Sequence, residues 1–372
     1  MRVKEILGII HRFAPPDLAA DWDNCGLQVG SADKSVKKIG LALDATSATV
    51  DQAVKSGCDL LLTHHPLIFK PVKNFNLDSE LGLIIKKAIS ADLTIAAAHT
   101  NWDSSAAGVA QALADVLELE DRRPLEPAGR DFYKLVVFVP LGYETALRQA
   151  LFEAGAGVVG AYDNCWFSSA GEGGFRVPDN GRPFAGRPGE RARVKESRLE
   201  VIVPLSGFER ASEAVLKHHP YEEPAFEFHP VKIARPGQGL GLVGSWNPPR
   251  DFFSQLARLS VLSGYKWAGP KPGAVSRVAL LPGSGGAYLH QAKAAGAEVF
   301  ITGDVGYHLA LEAQSLDVTL LDLGHFETEW PGVVQMFKIL SAETERLQIE
   351  VTLEVLAQDC PWNYRIGSKD AG

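Results

Sequence analysis

Short apolar runs alternate with helical patterns along much of this chain, and the alternation restricts the folds that it can adopt. In the N-terminal part, strands are predicted at Lys38 to Leu43, Asp59 to Leu62 and Leu93 to Ala98, with helices at Thr49 to Ser56 and Leu81 to Ile89. Strands that alternate with helices in this way form a largely parallel sheet whose faces the helices cover. The predicted fold class is therefore α/β.

The same alternation resumes near Gly239. Strands and helices are predicted there, in chain order, at Val275 to Leu281, Ala287 to Ala295, Glu298 to Ile301, Val318 to Leu323 and His325 to Leu340. The segment DQAVKSGCDLLLTHH from Asp51 aligns without a gap with HQAKAAGAEVFITGD from His290. We therefore predict a two-lobed, duplicated domain of two related halves, with chance similarity as the alternative because the match is short.

The residues between these halves follow a different order. Strands and helices are predicted there at 134–140, Tyr143 to Ala154, Arg198 to Pro204, Phe208 to His218 and Ala225 to Ile233. Small β-α-β pieces of this kind are typical of a ferredoxin-like α+β fold. Because 372 residues exceed what one hydrophobic core usually accommodates, we predict an inserted domain at 131–235 within a discontinuous α/β domain at 1–130 and 236–372.

Two polar stretches are predicted to lack regular structure. Asp121 to Arg130 has the composition of a linker, which agrees with a domain boundary at that point. The glycine-, proline- and arginine-rich stretch within 171–198 is too polar to pack against a core, so we expect a flexible loop that could offer a surface to a partner or an anion.

Charge and apolar patterning exclude several classes of protein. A net charge of −8 opposes attraction to nucleic acid or anionic lipid, so a nucleic-acid-binding protein is not expected. Ile6, Ile9, Ile10 and Phe13 recur at helical spacing, which indicates an amphipathic helix ending before Pro15 rather than a signal peptide. No apolar run approaches the roughly 20 residues that span a bilayer. We therefore expect a cytoplasmic protein whose four scattered cysteines are reduced.

Residues of the types that bind metals follow several of the predicted strands. They are His64, His65, Asp103, His325 and Glu329. At the carboxyl ends of strands in an open α/β sheet, side chains converge in one crevice even when they are distant in sequence. Three imidazoles and two carboxylates suit zinc, iron or manganese, and a carboxylate such as Glu329 could bridge two ions.

The alternatives for these pairs are structural. A His-His-Pro run is common in surface loops, and His and Glu four residues apart, as at His325 and Glu329, are common on solvated helix faces. His99 and His308 occupy equivalent places in the two halves, where each could orient a ligand, transfer a proton or be a buried core histidine. We assign proton transfer to His99.

Two further features near the same crevice are weaker candidates. The turn Gly283 to Gly286 precedes a predicted helix and could hold a phosphate with its backbone amides, although a single glycine-rich turn is a weak signal. Asp304 lies where the second half would need a counterpart of His65.

Motifs along the chain resemble those of a known family. They are WDNCGLQVG from Trp22, THHPLIF from Thr63, AHTNWD from Ala98, GAYDNCWFSSAGEGGF from Gly160, HPYEEPAFEFHPV from His219, TGDVGYH from Thr302 and LGHFETE from Leu323. These motifs are similar to those of the GTP cyclohydrolase I type 2 homologue family, also called Nif-three-like, in its long bacterial form. The resemblance covers nearly the whole chain.

The resemblance implies a two-lobed α/β fold, an inserted domain similar to CutA and PII proteins, two divalent metal ions per chain and a toroidal homohexamer. It places the metal ligands of the family on the five residues given above. We therefore expect a metal-dependent hydrolase that acts on a nucleotide or another phosphorylated small molecule. The alternative is a non-enzymatic metal-binding scaffold whose inserted domain senses a ligand or recruits a partner.

Overall fold

The computed structural model describes residues 1–160, 162–177, 179–180, 183–259, 262 and 264–362, without the side chain of Arg130. Strands β1 to β15 lie at Gly26–Val29, Lys38–Ala42, Leu60–Thr63, Thr94–Ala97, Glu120–Arg123, Glu126–Pro140, Phe167–Arg176, Arg191–Pro204, Phe226–Leu240, Leu242–Asp251, Lys266–Ala268, Ala274–Leu280, Val299–Thr302, Thr319–Asp322 and Thr352–Val355. Helices α1 to α11 lie at Val3–Phe13, Ser47–Lys55, Glu80–Ser90, Thr100–Asp103, Val109–Val116, Glu144–Glu153, Phe208–His218, Phe252–Leu256, Leu289–Ala294, Tyr307–Ser315 and His325–Arg346.

The chain divides into two compact units. The larger unit comprises residues 1–128 and 235–372, and the smaller unit comprises residues 129–234. The larger unit contains two mixed sheets with helices between and around their strands, so the predicted α/β class is confirmed.

The first sheet of the larger unit has the strand order β1-β4-β3-β2-β15. Strands β15, β2, β3 and β4 run parallel to one another, and β1 is antiparallel to β4 at the edge. All four residues of β3, from Leu60 to Thr63, are buried. A central parallel strand is covered on both faces, which explains why its sequence is a continuous apolar run.

The second sheet of the larger unit has the strand order β11-β14-β13-β12-β10-β5. Its central strands β12, β13 and β14 are parallel, whereas β11, β10 and β5 pair antiparallel with their neighbours. The prediction of parallel pairing therefore holds for the centre of each sheet, and antiparallel strands close the edges.

Helices α1 and α11 bury their apolar sides in one core. The predicted amphipathic helix is present as α1, whose Ile6, Ile9 and Ile10 are buried together with Met336 and Leu340 of α11. Over the described ranges, no helix has both the length and the apolar character needed to cross a membrane.

The smaller unit is a four-stranded sheet with two helices. The strand order is β7-β8-β6-β9, and β8 pairs antiparallel with both β6 and β7. Leu147 and Leu151 of α6 and Val215 of α7 pack with the apolar side chains of β6 and β8 in a separate core.

The prediction of a linker at Asp121 to Arg130 is wrong. Glu120–Arg123 forms β5, which pairs with β10, and β6 already begins at Glu126. The charged residues of β5 are mostly exposed because this strand lies at the edge of its sheet. An edge strand is held by backbone hydrogen bonds on one side and requires little apolar sequence.

The prediction of a flexible loop within 171–198 is also wrong for the two ends of that stretch. Gly171 to Arg176 belong to β7, and they pair residue by residue with Arg191 to Glu196 of β8. One face of an antiparallel sheet can remain solvated, so a polar sequence does not prevent pairing. Residues 178, 181 and 182 of this stretch lie outside the described residues.

Two glycines in helices are expected to respond oppositely to alanine. At Gly332 of α11, a Cβ atom would lie 2.8 Å from Val109 Cγ2 of α5, whereas at Gly8 of α1 it would meet nothing within 4 Å. We expect Gly332→Ala to destabilise the protein by about 1–3 kcal/mol through overpacking. Gly8→Ala should stabilise it by about 0.5–1 kcal/mol through helix propensity. Urea denaturation of both variants measures the signs, and equal shifts would contradict the close packing of α5 on α11.

Candidate metal centre

Strand ends of the first sheet position four polar side chains. His64 and His65 directly follow β3, and β4 pairs in parallel with β3, so that both strands end on the same edge. His99 follows β4 by two residues, and the one-turn helix α4 then ends at Asp103. These four residues therefore reach the carboxyl edge of one sheet.

The start of α11, which follows β14 of the second sheet, contributes two further side chains to the site. His325 is the first residue of this helix, and Glu329 lies one turn later on the same face. Gly324, between β14 and α11, has a φ of +95°, which glycine adopts at little cost. This turn brings the helix directly to the end of β14.

Glu329 is the carboxylate around which the histidines gather. Its Oε2 atom lies 2.9 Å from His65 Nε2, 3.1 Å from His325 Nε2 and 3.8 Å from His64 Nε2. His64 Nε2 is also 3.4 Å from Asp103 Oδ1. The structure thus brings together all five residues that the sequence predicted as metal ligands.

An oxygen atom holds the Nδ1 atom of every histidine in this group. The pairs are His64 with the Ala98 carbonyl at 2.9 Å, His65 with Asp44 at 2.8 Å, His99 with Asp23 at 2.8 Å and His325 with Asp304 at 2.7 Å. A ring that donates from Nδ1 carries its lone pair on Nε2, which is the form that binds a metal.

Two buried atoms test whether a cation fits this site. His64 Nε2 and Glu329 Oε2 are buried, and neither makes a hydrogen bond of good geometry among the described residues; the near contacts of Glu329 Oε2, at 2.9 and 3.1 Å, are with Nε2 atoms that are themselves candidate ligands. A buried polar atom without a partner costs free energy, and a cation between the two would satisfy both. The donor set of imidazole nitrogen and carboxylate oxygen suits a divalent transition metal.

The ligand atoms form overlapping groups. His65, His325 and Glu329 make one group, and His64, Asp103 and Glu329 make another, each with its atoms within 4.8 Å of one another. Either group could hold a metal ion, and Glu329 belongs to both. A third group joins His64 and His65 to His99.

The charges in this cluster shift the pKa values of its members. Burial acts to lower the pKa of both His65 and His325, but the neighbouring carboxylates outweigh it and raise these values to about 10 and about 9. Burial acts to raise the pKa of Glu329, but the surrounding imidazoles hold it well below its usual range. For Asp103, burial and the charge of Glu329 raise the pKa.

His99 lies beside the cluster under two exposed aromatic rings. Its ring centroid is 5.2 Å from that of His64 and 5.5 Å from that of His65. Trp22 and Phe69, which are 62% and 48% exposed, place their rings 6.1 Å and 6.2 Å from His99. The cluster is therefore reachable from solvent on this side.

Two other candidates from the sequence take different places. His308 is exposed on α10 and belongs to none of the ligand groups found in the described chain. The amides of Gly283 and Gly285 donate to the side chains of Thr328 and Thr302, at 3.0 and 2.9 Å. These two amides are therefore not free to receive a phosphate, and the phosphate-binding turn stays a prediction that concerns the amides of Ser284 and Gly286.

Gly283 has a steric role that the sequence did not reveal. Its φ is +66°, and a Cβ atom at this position would lie 2.1 Å from Glu329 Oε1. Only a residue without a side chain lets this turn pass beside the central carboxylate. The glycine-rich sequence marked the turn, but its contact with Glu329 depends on the tertiary fold.

Asp44 and Asp23 were not predicted as site residues. Asp44 follows β2 within two residues, so the rule that found His64 and His65 at a strand end also applies to it. Asp23 precedes β1, and its carboxylate accepts hydrogen bonds from the backbone and side chain of Thr100 as well as from His99. No spacing in the sequence links Asp23 to His99, 76 residues away.

The fold and the site define a mixed α/β protein with a candidate metal centre of histidines and carboxylates. Residues 1–361 match the profile of the Duf34/NIF3 (NGG1p interacting factor 3) family, and the chain belongs to that family. The resemblance seen in the sequence is thereby confirmed.

Relatives and solved structures agree with this assignment. A Bacillus subtilis protein named GTP cyclohydrolase 1 type 2 homolog is 37% identical over 327 residues, which is 87% of this chain and 88% of the relative. The crystal structure of a Bacillus cereus protein related to NIF3 is 35% identical, with a TM-score of 0.68 over 98% of this chain and 99% of the other. That of a Staphylococcus aureus protein is 28% identical, with a TM-score of 0.80 over the same shares.

Substitution at Gly283 should disturb the centre without touching a ligand. We expect Gly283→Ala to weaken binding of a divalent cation about 10- to 100-fold, because the new Cβ displaces Glu329. Gly296→Ala is the matched control: it introduces a side chain at a similar φ of +80°, but its nearest neighbour is Arg277 at 3.7 Å. Competition with a chromogenic chelator measures the affinity. Equal losses in both variants would show that backbone strain alone is responsible.

Binding of a cation should release protons. The neighbouring carboxylates raise the pKa values of His65 and His325 to about 10 and about 9, which favours protonated imidazole near pH 7 in the metal-free protein. The Nε2 atoms of the two rings lie 3.3 Å apart, so a proton on one opposes a proton on the other. A cation requires the neutral rings, so its binding should release at least one proton, and affinity should rise as the pH rises toward these values. Calorimetric titrations in buffers of different ionisation enthalpy count the protons. A binding heat that is the same in every buffer would contradict this expectation.

Proposed function

We propose that this protein is a metal-dependent hydrolase with two divalent metal ions per chain, acting on a nucleotide or another phosphorylated small molecule. The proposed ligands of zinc, iron or manganese are His64, His65, Asp103, His325 and Glu329. The observation that carries the proposal is the orientation of the imidazoles, each held at Nδ1 by an oxygen atom. Such outer hydrogen bonds are the usual support of metal-binding histidines.

The sharing of Glu329 supports two ions rather than one. One group offers His65, His325 and Glu329, and the other offers His64, Asp103 and Glu329. A carboxylate has two oxygen atoms and can bridge two cations, as it does in many two-metal hydrolases. Two cations would also balance the charges of Asp103 and Glu329, which burial opposes when both are ionised.

The chain's own residues supply the remaining functions of a hydrolase. When bound, divalent cations lower the pKa of water and polarise the bond that is broken. His99 lies beside the ligands, and the Asp23 carboxylate accepts a hydrogen bond from its Nδ1 atom. Its Nε2 atom is therefore suited to accept a proton from the reacting water and to return it to the leaving group.

The surroundings of His99 support a substrate with a planar ring. Trp22 and Phe69 contact each other edge to face, with centroids 5.6 Å apart, and both stay largely exposed. Exposed aromatic rings next to a polar centre offer a stacking surface for a base. The name of a relative, GTP cyclohydrolase 1 type 2 homolog, agrees with a nucleotide substrate.

We also propose that the larger unit arose by duplication and that the smaller unit is an inserted domain similar to CutA and PII proteins. In support, β4-β3-β2 and β14-β13-β12 are each parallel trios, and each has an antiparallel neighbour, β1 or β11, on the corresponding edge. For the smaller unit, the support is its sheet of four strands with two packed helices. The homohexamer and the cytoplasmic location stay predictions of the sequence.

The second candidate function is a non-enzymatic metal-binding scaffold. The observation that favours it is the separate compact unit at 129–234, which hydrolysis at the metal centre does not require. The two functions differ in whether the centre turns over a substrate. A structural metal site is closed by protein ligands, whereas a catalytic site keeps open positions.

Metal content and turnover, measured together, test the proposed hydrolase. We expect the wild type to hold about two ions and to release product from at least one compound in a screen of nucleotides, beginning with GTP. Glu329→Ala and His325→Ala should lose metal and activity together. His99→Gln should keep its metal but lose turnover about 10²- to 10⁴-fold, because only proton transfer is removed.

His308→Gln provides the matched control, since this histidine is exposed on α10 and lies apart from the ligand groups. Its metal content and turnover should equal those of the wild type. Tightly bound metal without turnover of any compound would reject the hydrolase and leave the scaffold. Full activity in His99→Gln would remove His99 from the reaction.

A further inference from the structure

The smaller unit contains a cavity that the metal centre does not use. Its volume is about 740 Å³, and residues of β7, β8 and the segment 221–225 line it. This volume lies within the range of pockets that bind small organic molecules. All of its lining residues belong to the unit at 129–234.

Three aromatic rings form one part of the cavity wall. Phe175 and Phe184 both contact Tyr221, with centroid distances of 5.8 Å in each case. The plane of the Phe175 ring is inclined by 68° to that of Tyr221, and the plane of the Phe184 ring by 50°, so neither pair is stacked face to face. Aromatic rings in a cavity wall can hold a cation over their faces, because the face of each ring carries negative potential.

A buried carboxylate lies within the same wall. Glu196 is 8% exposed, and its Oε1 atom accepts a hydrogen bond of 2.8 Å from the Tyr221 hydroxyl. Burial and this hydrogen bond raise the pKa of Tyr221, so the hydroxyl remains a donor. Across from it, Gly173 has no side chain, and a Cβ atom there would lie 2.1 Å from Glu196 Oε2.

The nearby histidine does not neutralise Glu196. His219 accepts a hydrogen bond at Nδ1 from the Tyr221 amide, at 3.0 Å. Its Nε2 atom therefore carries the proton and donates to the Phe138 carbonyl, at 2.8 Å. Burial lowers the pKa of His219, which agrees with this neutral form. His219 thus positions Tyr221 rather than supplying positive charge.

The charges along the lining favour a cationic ligand. Arg198 of the lining forms an ion pair of 3.2 Å with Glu200, which lies outside the lining. Glu172 of the lining forms an ion pair of 3.4 Å with Arg193, which also lies outside it. No ion pair involves Glu196 among the residues that the structure describes. Among the described residues of the lining, Glu222 and Glu223 are two further carboxylates, and Arg176 is one further arginine.

We infer that this cavity binds a small organic cation, an ammonium or guanidinium ion carried on a compact apolar body. The rings of Phe175, Phe184 and Tyr221 enclose the apolar body, and Glu196 pairs with the positive charge. A buried carboxylate without a cation is costly, and a ligand of this kind removes that cost. The inference is independent of the proposed hydrolase, because the cavity and the metal centre lie in different units.

An anionic ligand is the competing possibility, since arginines also line the cavity. Arg198 is already paired with Glu200, and an anion would lie close to the carboxylate of Glu196. Like charges in a partly dry site repel strongly. The lining therefore disfavours a phosphate or carboxylate ligand.

Three compounds of one shape test the charge preference in the full-length wild type. They are 2-phenylethylammonium, the neutral 2-phenylethanol and the anionic 3-phenylpropionate. We expect calorimetry to give a Kd for the cation at least about tenfold lower than for the alcohol, with the anion weakest. Tighter binding of the anion, or no binding of any of the three at millimolar concentration, would overturn the inference.

Variants locate the binding in this cavity. Glu196→Gln keeps the size of the side chain and an oxygen for the Tyr221 hydroxyl, so it should lose the preference for the cation while still binding the alcohol. Phe184→Ala should weaken both compounds. Glu213→Gln removes a negative charge from the same unit outside the lining, and it should bind as the wild type does. An unchanged cation preference in Glu196→Gln would refute the assignment, and the wild-type comparison stands even if that variant does not fold.

Discussion

The hydrogen bonds at Nδ1 of the clustered histidines are the interactions on which the rest of the site depends. Without them, each imidazole could rotate or change its tautomer, and Nε2 atoms from two sheets would not face one carboxylate. Asp44, Asp304 and Asp23 each fix one ring, and the backbone of Ala98 fixes another. The oxygen atoms that hold the rings therefore matter as much as the nitrogen atoms that converge.

This arrangement requires both sheets of the larger unit. The first sheet provides His64 and His65 at the end of β3, and the second provides His325 and Glu329 at the start of α11. Because parallel neighbours end at the same edge, each sheet collects its side chains at one rim. Helix α11 packs on α1 and α5, because Met336, Ile6 and Val109 share one core. This packing fixes the helix that carries Glu329.

The sequence predicted those elements whose burial is visible in their residue types, and the metal-binding residues that directly follow them. Central strands such as β3 are buried on both faces, so their apolar runs were visible, and the metal-binding residue types that follow them could be selected. Edge strands such as β5 and β7 are stabilised by backbone pairing, which leaves little trace in the side chains. Gly283 and the cavity beside Tyr221 depend on contacts between distant segments, and spacing along the chain does not encode such contacts.

Under the proposed duplication, equivalent positions in the two halves of the larger unit serve different purposes. In the aligned segments, Asp304 stands where the first half has His65. His65 approaches Glu329 directly, whereas Asp304 binds Nδ1 of His325, as Asp44 binds Nδ1 of His65. At this aligned position, the first half therefore supplies an additional nitrogen atom, and the second half supplies a carboxylate that orients the ring of His325. A symmetric pair of histidines in the second half would leave His325 without that support, so the asymmetry itself is what completes the centre.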